Sequence, residues 1–254
     1  MDLKILLSWL ALNAGLLAAI VLIIVGWKRT RALTGPELAK KLDKVTDADP
    51  QKPDFTLGEI AFLLRETGRP PEAQLLAAVF TSWQAGGLIR CEMAPKKRLS
   101  GYGDDMQPTL SFPGFEASLP GAEGALFTLL LDAVDSSTLQ ASESYDWARA
   151  NAARLRDCLL RYEAEGRAKL RAEGAIRTET QKQLFGTTGR EQLVYTPRGL
   201  RRAQALRRWE NHLRTAPEDA PEQAVLFGYA APPPPLSMLC ERAVQGYRAG
   251  LAMR

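Results

Sequence analysis

The chain has 254 residues, of which 46 % are apolar and 24 % charged, and these proportions exclude a disordered or low-complexity protein. A formal net charge of +4 is modest and does not require a nucleic-acid partner. The cysteines, Cys91, Cys158 and Cys240, lie far apart without a CxxC pair. This spacing indicates neither a disulfide framework nor a zinc site and fits a reducing compartment.

The N-terminal segment 5–27, from Ile5 to Trp27, contains no charged residue. At about 1.5 Å rise per residue, a helix of this length crosses a bilayer core. Thirteen of its residues are Leu, Ile or Val. Together they favour insertion by about 4–8 kcal/mol. The segment therefore predicts a single-pass transmembrane anchor within residues 1–33, with membrane lipid as its partner.

Basic residues are concentrated after this segment, at Lys28, Arg29 and Arg31, whereas only Asp2 and Lys4 precede it. By the positive-inside rule, the N-terminus is expected outside and the bulk of the chain in the cytoplasm, at the cell inner (plasma) membrane. A cleaved signal peptide is the alternative. It would have a shorter apolar region followed by a small-x-small cleavage site, which this sequence lacks.

After the anchor, residues 34–54 predict a juxtamembrane helix and a linker. Pro36 and Glu37 are typical of a first helical turn, and Leu38 and Leu42 lie on one stripe. Such a helix could lie on the membrane surface or serve as a solvated spacer. The stretch 46–54 has two prolines and little apolar pattern, which predicts a linker.

Residues 55–115 predict a first winged-helix-like unit. Thr56 and Glu59 have capping-box spacing at the start of one helix, and a second helix runs to Gly86. A weak strand at 88–93, a polar loop at 94–106 and a return strand at 109–112 complete it. Two helices followed by a hairpin are typical of a winged helix.

Residues 121–215 predict a second unit with the same order of elements. An apolar helix at 122–134 and a short extended stretch precede one long helix, which begins at Ser142 and continues to Arg171. A hairpin and a basic helix follow. The predicted fold class is therefore α+β: a transmembrane helix, two winged-helix-like units and a helical tail at 216–254.

The tail contains a short apolar helix, a run of four prolines at 232–235 and a last amphipathic helix. The proline run is typical of a rigid spacer, and a PxxP ligand is the alternative. The apolar stripe of the last helix must dock on another element. It consists of Leu236, Leu239, Cys240, Ala243 and Tyr247.

Three segments carry a resemblance to a known family. They are 55–64 (FTLGEIAFLL) with 85–89 (AGGLI), then 195–199 (YTPRG) running on to Trp209, and 224–230 (AVLFGYA). In this order they resemble the YciQ-like predicted membrane proteins of bacteria, a family described as a domain of unknown function. The resemblance covers about 55–230 and implies the cytoplasmic region of such a protein. It implies no catalytic residues.

The sequence offers no arrangement of residues that is typical of catalysis. His212 is the single histidine and has no Cys, His or acidic partner at metal-ligand spacing. Asp104 and Asp105 are adjacent acids in a loop, which are usually solvated. No P-loop, GxSxG elbow or dinucleotide fingerprint is present. We therefore expect neither an enzyme nor a bound cofactor, metal or small-molecule substrate.

The predicted function is a membrane-anchored cytoplasmic protein-interaction or scaffold module. The alternative is a membrane-anchored winged-helix transcriptional regulator that binds DNA. The DNA alternative is disfavoured because the candidate recognition helix, 71–86, contains no Lys or Arg. The candidate interaction surface consists of exposed basic residues: Lys96, Lys97, Arg98, Arg201, Arg202, Arg207 and Arg208.

Overall fold

The computed structural model describes residues 32–98, 101–114, 118–134, 138–181 and 190–253. These residues form helices and strands of an α+β protein. The helices are α1 Gly35–Leu42, α2 Leu57–Glu66, α3 Glu72–Ala85, α4 Gly121–Leu131, α5 Ala141–Ala150, α6 Ala152–Ala172, α7 Pro197–Leu213, α8 Pro221–Phe227 and α9 Leu236–Ala252. The strands are β1 Arg90–Arg98, β2 Gly101–Ser111, β3 Thr138–Gln140, β4 Ile176–Gln181 and β5 Arg190–Tyr195.

Within these residues, no helix is both long and apolar enough to cross a membrane. The longest, α6, has 21 residues but carries charges along its length, and the apolar α4 has only 11. The predictions of a transmembrane helix and of an inner-membrane location are therefore wrong for the part of the chain that the structure describes. The segment 5–27, on which they rested, lies outside the described residues.

Helix α1 was expected to lie on a membrane surface or to act as a solvated spacer, and the spacer interpretation is wrong. It packs on α7 and β5, and the side chain of Leu38 is fully buried. Leu33, just before the helix, bridges to Tyr195 at the end of β5. The helix is therefore part of the folded core.

The strands do not form two separate winged-helix sheets, so that part of the predicted fold is corrected. β3 precedes the second hairpin in sequence but pairs with β2 of the first, with Leu139 opposite Leu110. Both leucines are buried, so the pairing extends the core while covering one edge of β2. Both strands of the first hairpin are longer than expected, and most of the predicted loop 94–106 is strand.

The predicted long helix from Ser142 is two helices, α5 and α6, separated at Asn151. The backbone of Asn151 leaves the helical region (φ −103°, ψ 17°), and its side-chain amide donates to the Trp147 carbonyl at 3.1 Å. Such a local side-chain bond competes with the helical ladder. The apolar spacing nevertheless continues through the break, because Ala148, Ala152 and Leu155 are all buried.

The last helix, α9, docks as its stripe predicted, with all five stripe residues buried. Its main neighbour is α5. Buried side chains from the two predicted units and from the tail belong to one contiguous hydrophobic cluster. Helix α2 is deeply placed in it, since all seven residues from Gly58 to Leu64 are buried.

Helices α2 and α6 approach each other unusually closely at Gly58 and Gly166. A Cβ atom on Gly166 would lie closer than 3.0 Å to the Gly58 carbonyl, and one on Gly58 equally close to the Tyr162 carbonyl oxygen. Backbone atoms cannot rotate away as a side chain can. The crossing therefore excludes every residue except glycine at both positions.

We expect the substitution Gly166→Ala to destabilise the protein by about 3 kcal/mol, because the added methyl group must push two helix backbones apart. The midpoint of urea denaturation of the full chain measures this. Gly86→Ala is the matched control, since a Cβ there meets its nearest atom at an ordinary 3.4 Å. Equal midpoints for the two variants would contradict the close crossing.

Candidate functional site

The four arginines of the predicted surface lie on α7, and Arg202 is engaged inside the protein. Its Nη2 atom donates to Glu59 Oε1 at 3.1 Å and to the Asp54 carbonyl at 2.9 Å, and it also pairs with Glu173. The guanidinium stacks over the Phe55 ring at 4.5 Å. Arg202 therefore fastens the chain before α2 onto α7.

Arg208 is hydrogen-bonded within the protein, whereas Arg201 is exposed. The Nε atom of Arg208 donates to Asp47 Oδ2 at 2.6 Å, and its carbonyl accepts from the Asp49 amide at 3.2 Å. These bonds hold the expected linker 46–54 against the helix. Arg201 is exposed and forms no ion pair with the described residues. Of these two arginines, Arg201 remains available to a partner.

The remaining three predicted residues lie on a different element, strand β1. Lys96 is exposed. The Lys97 amide donates to Gln140 Oε1 at 2.9 Å, and its Nζ lies 3.8 Å from Glu143. The side chain of Arg98 lies outside the described atoms. The seven residues are thus divided between one strand and one helix.

Arg207 lines a cavity of about 230 Å³, which we call the α1–α7 cavity. Helices α1, α2, α7 and α8 form its walls. The Nη1 atom of Arg207 donates to Glu210 Oε2 at 2.7 Å, whereas the Arg207 Nε–H is buried without a hydrogen-bond partner among the described residues. The apolar lining comes from Leu42, Leu63, Leu64, Leu206 and Phe227.

Glu210 is the charged centre of the cavity and is only 2 % exposed. It accepts from both terminal nitrogens of Arg69, at 2.7 and 3.2 Å, and from the Tyr229 hydroxyl at 2.8 Å. Burial acts to raise its pKa, but the hydrogen bonds from Arg69 and Arg207 lower it below the ordinary value. The carboxylate is therefore charged at neutral pH.

Basic groups outnumber acids around this cavity. Arg69, Arg207 and Arg214 line it together with Glu210 and Asp43. Three exposed lysines lie close in sequence to this lining: Lys40 and Lys41 on α1 and Lys44 just after it. The site combines an apolar lining with an excess of fixed positive charge, which suits an anionic group attached to an apolar one.

His212 lies in the last turn of α7 and contacts an acid and an aromatic ring. Its Nε2 atom is 2.6 Å from Asp219 Oδ2, and its ring stacks on Trp209 at 5.1 Å between centroids. Within the described residues, no group of three His, Cys, Asp or Glu side chains could hold a metal ion.

The residue that reasoning from the sequence missed is Glu210, together with Glu163 on α6. Glu210 falls on the buried stripe of Ala203, Leu206 and Leu213, with steps of 3, 4 and 3 residues. Glu163 is buried in the same way and pairs with Arg65. The signal available in the sequence was an acidic residue at a position that the helical spacing assigns to the buried face.

Comparison of the chain with protein families, with curated proteins and with solved structures finds no match. The resemblance to the YciQ-like family therefore stays a prediction.

The substitution Glu210→Gln tests the charged centre. We expect a loss of about 1.5–3 kcal/mol at pH 7, because two arginines lose a charged hydrogen-bond acceptor. Since the folded-state pKa lies below the ordinary 4.5, this stabilisation is present above pH 4.5 and is lost as the pH falls through the lowered pKa. In urea denaturation at several pH values, the free energy of unfolding of the variant should therefore fall less steeply with decreasing pH than that of the wild type.

Glu66→Gln is the matched control, because burial raises the pKa of Glu66. Its charged form is disfavoured in the folded state, so stability falls as the pH rises through that raised pKa. This variant should be neutral or stabilising at pH 7. A Glu210→Gln variant as stable as the wild type at pH 7 would contradict the assigned role.

Proposed function

We propose that the chain is a protein-interaction module that binds an acidic, partly apolar segment of another protein at the α1–α7 cavity. The observation that carries this proposal is the lining of this cavity, in which Arg69, Arg207 and Arg214 lie beside the apolar Leu206 and Phe227. A partner carboxylate would accept charge-assisted hydrogen bonds from these guanidinium groups.

The size of the cavity supports an anchoring side chain rather than a whole small ligand. Sites for drug-sized molecules usually measure about 300–1,000 Å³, and this cavity has about 230 Å³. Arginine and aromatic residues dominate the energetic centres of protein interfaces. Here Arg69 and Arg207 lie beside Phe227, so one apolar side chain with a neighbouring carboxylate fits the lining.

The charges around the cavity support an acidic partner. Lys40 and Lys41 are exposed on α1, Lys44 is exposed just after it, and Arg201 is exposed on α7. Exposed charges of one sign mainly accelerate association and select the partner's charge, whereas the buried contacts determine dissociation. We therefore expect the exposed lysines and Arg201 to control association, and the residues that line the cavity to control dissociation.

Duplex DNA is a weaker candidate, because α3 is not arranged to enter a groove. Most of α3 is buried, including all residues from Leu75 to Thr81, and it packs against α8 and α9. On α7, Arg202 and Arg208 are paired with acids of the chain itself. A phosphate track would need these groups free.

A labelled peptide that alternates Glu with Leu and Phe tests the proposal by fluorescence anisotropy with the full chain. We expect a dissociation constant of about 10–100 μM, typical of a short unoptimised segment. Arg207→Ala should weaken binding at least about tenfold, because it removes a buried charged donor. Ala39→Arg should do the same by filling the cavity from α1 while leaving the interior of the fold unchanged.

Ala164→Arg is the matched control, since it adds the same charge at an exposed helical position outside the cavity. It should leave the affinity unchanged. A second control replaces Glu by Lys in the peptide and should abolish binding. Equal affinities for the wild type and Ala39→Arg, or tighter binding of a duplex of about 20 base pairs, would overturn the proposal.

A further inference from the structure

A second opening, which we call the α3–α9 pocket, lies where the first turn of α3 meets α6 and α9. It has a volume of about 450 Å³, within the range of small-molecule sites. It shares no lining residue with the α1–α7 cavity. Its lining combines arginine side chains, the N-terminal turn of a helix and a tyrosine.

Two arginines line the pocket from different helices, Arg156 from α6 and Arg248 from α9. Both are exposed, and neither forms an ion pair with the described residues. The acid in the lining is Glu72, whose Oε1 atom already accepts from Arg65 Nη2 at 2.7 Å. The pocket therefore carries positive charge that its own residues do not neutralise.

The first turn of α3 adds backbone donors to the pocket. The N-cap residue, Pro71, offers no side-chain cap, and the amides of Ala73 and Gln74 have no acceptor among the described residues. Both residues line the pocket. A helix N-terminus carries partial positive charge and unsatisfied N–H groups, so this turn favours an anion.

Tyr247 is the feature that distinguishes this pocket from an ordinary helix end. The residue is only 4 % exposed, yet its hydroxyl has no hydrogen-bond partner among the described residues. Unlike the unpartnered hydroxyls of Tyr162 and Tyr195, it is not enclosed by protein, and because Tyr247 lines the pocket, the hydroxyl opens into it. Burial raises the pKa of this phenol, so at neutral pH it keeps a proton that it can donate.

Close packing of α9 holds Tyr247 and Arg248 in place. Gly246 and Gly250 flank these two residues, and a Cβ atom on either glycine would lie closer than 3.0 Å to a backbone carbonyl oxygen of α5. The two helix backbones are therefore in contact, which leaves α9 little freedom to rotate about its axis. Donors that are already positioned lower the entropic cost of binding a ligand.

We propose that the α3–α9 pocket binds the phosphate group of a phosphate monoester. Guanidinium groups and the amides of a helix N-terminus are typical donors to phosphate oxygens. Two guanidinium groups, two amides and one hydroxyl offer more N–H and O–H donors than the two oxygens of a carboxylate can accept, whereas a phosphate monoester has three terminal oxygens.

The volume of the pocket leaves room for the esterified group beside Pro70 and Leu251, which supply apolar lining. The ester is either a free small molecule or a phosphorylated side chain, and both present the same group. This inference does not depend on the proposed function, which concerns a carboxylate-bearing partner at another cavity.

The backbone amides of Ala73 and Gln74 provide a direct readout, because they would donate to the ligand. In a ¹⁵N-labelled full chain, glycerol 2-phosphate should shift both resonances saturably, with a dissociation constant of about 0.1–1 mM. Sodium chloride at equal ionic strength should not. Nα-acetyl-phosphoserine methylamide distinguishes the two sources: binding at least about tenfold tighter than glycerol 2-phosphate assigns a phosphorylated side chain, and equal or weaker binding assigns a free small ester.

Two variants test the donors. Arg248→Ala should weaken glycerol 2-phosphate at least about tenfold, because it removes a charged donor. Tyr247→Phe should weaken it about threefold to tenfold while retaining the buried ring. Arg242→Ala is the matched control, because it removes the same charge from an exposed position of α9 outside the pocket, and it should leave the affinity unchanged.

Three results would overturn the proposal. The first is the absence of a saturable shift of the Ala73 and Gln74 amides in the wild type up to about 50 mM glycerol 2-phosphate. The second is an equal shift with sodium chloride. The third is an equal affinity of Arg248→Ala and Arg242→Ala for glycerol 2-phosphate.

Discussion

The close crossing of α2 and α6 is the contact on which the rest of the fold depends. It exists because Gly58 and Gly166 leave room for the two backbones to touch. At this separation, Arg65 of α2 reaches the buried Glu163 of α6, and Glu59 reaches Lys169. A crossing wider by one methyl group would stretch both pairs. The glycine contact and the two ion pairs therefore depend on the same separation between α2 and α6.

Buried glutamates connect this pair of helices to the remaining elements. Glu59 also binds Arg202 of α7, and Glu210 of α7 binds Arg69 in the turn after α2. A buried carboxylate is expensive to desolvate, and its loss of one partner is strongly destabilising. The network consequently favours these helices as neighbours, because Glu59, Glu163 and Glu210 each pair with an arginine from another element.

The same network determines which charges remain for recognition. Most of the arginines on α7 are engaged within the protein, so the positive surface is carried by α1 and by the mouth of the α1–α7 cavity. Glu123 and Glu165, by contrast, form no ion pair with the described residues and accept hydrogen bonds from the Trp83 indole and the Ala122 amide.

The sequence by itself determined the local structure, because capping residues, glycine and apolar spacing act within a few residues of the chain. Thr56 and Glu59 form the expected capping box, and the stripe of α9 is buried as its spacing required. Only the tertiary structure decided that Arg202 turns inward, that Glu210 is a buried centre and that β3 joins the first hairpin. Each of these depends on a partner more than 25 residues away or on a neighbouring helix. A charged side chain has the same local pattern whether its partner is water or a distant residue, so periodicity cannot distinguish a solvated arginine from a buried ion pair.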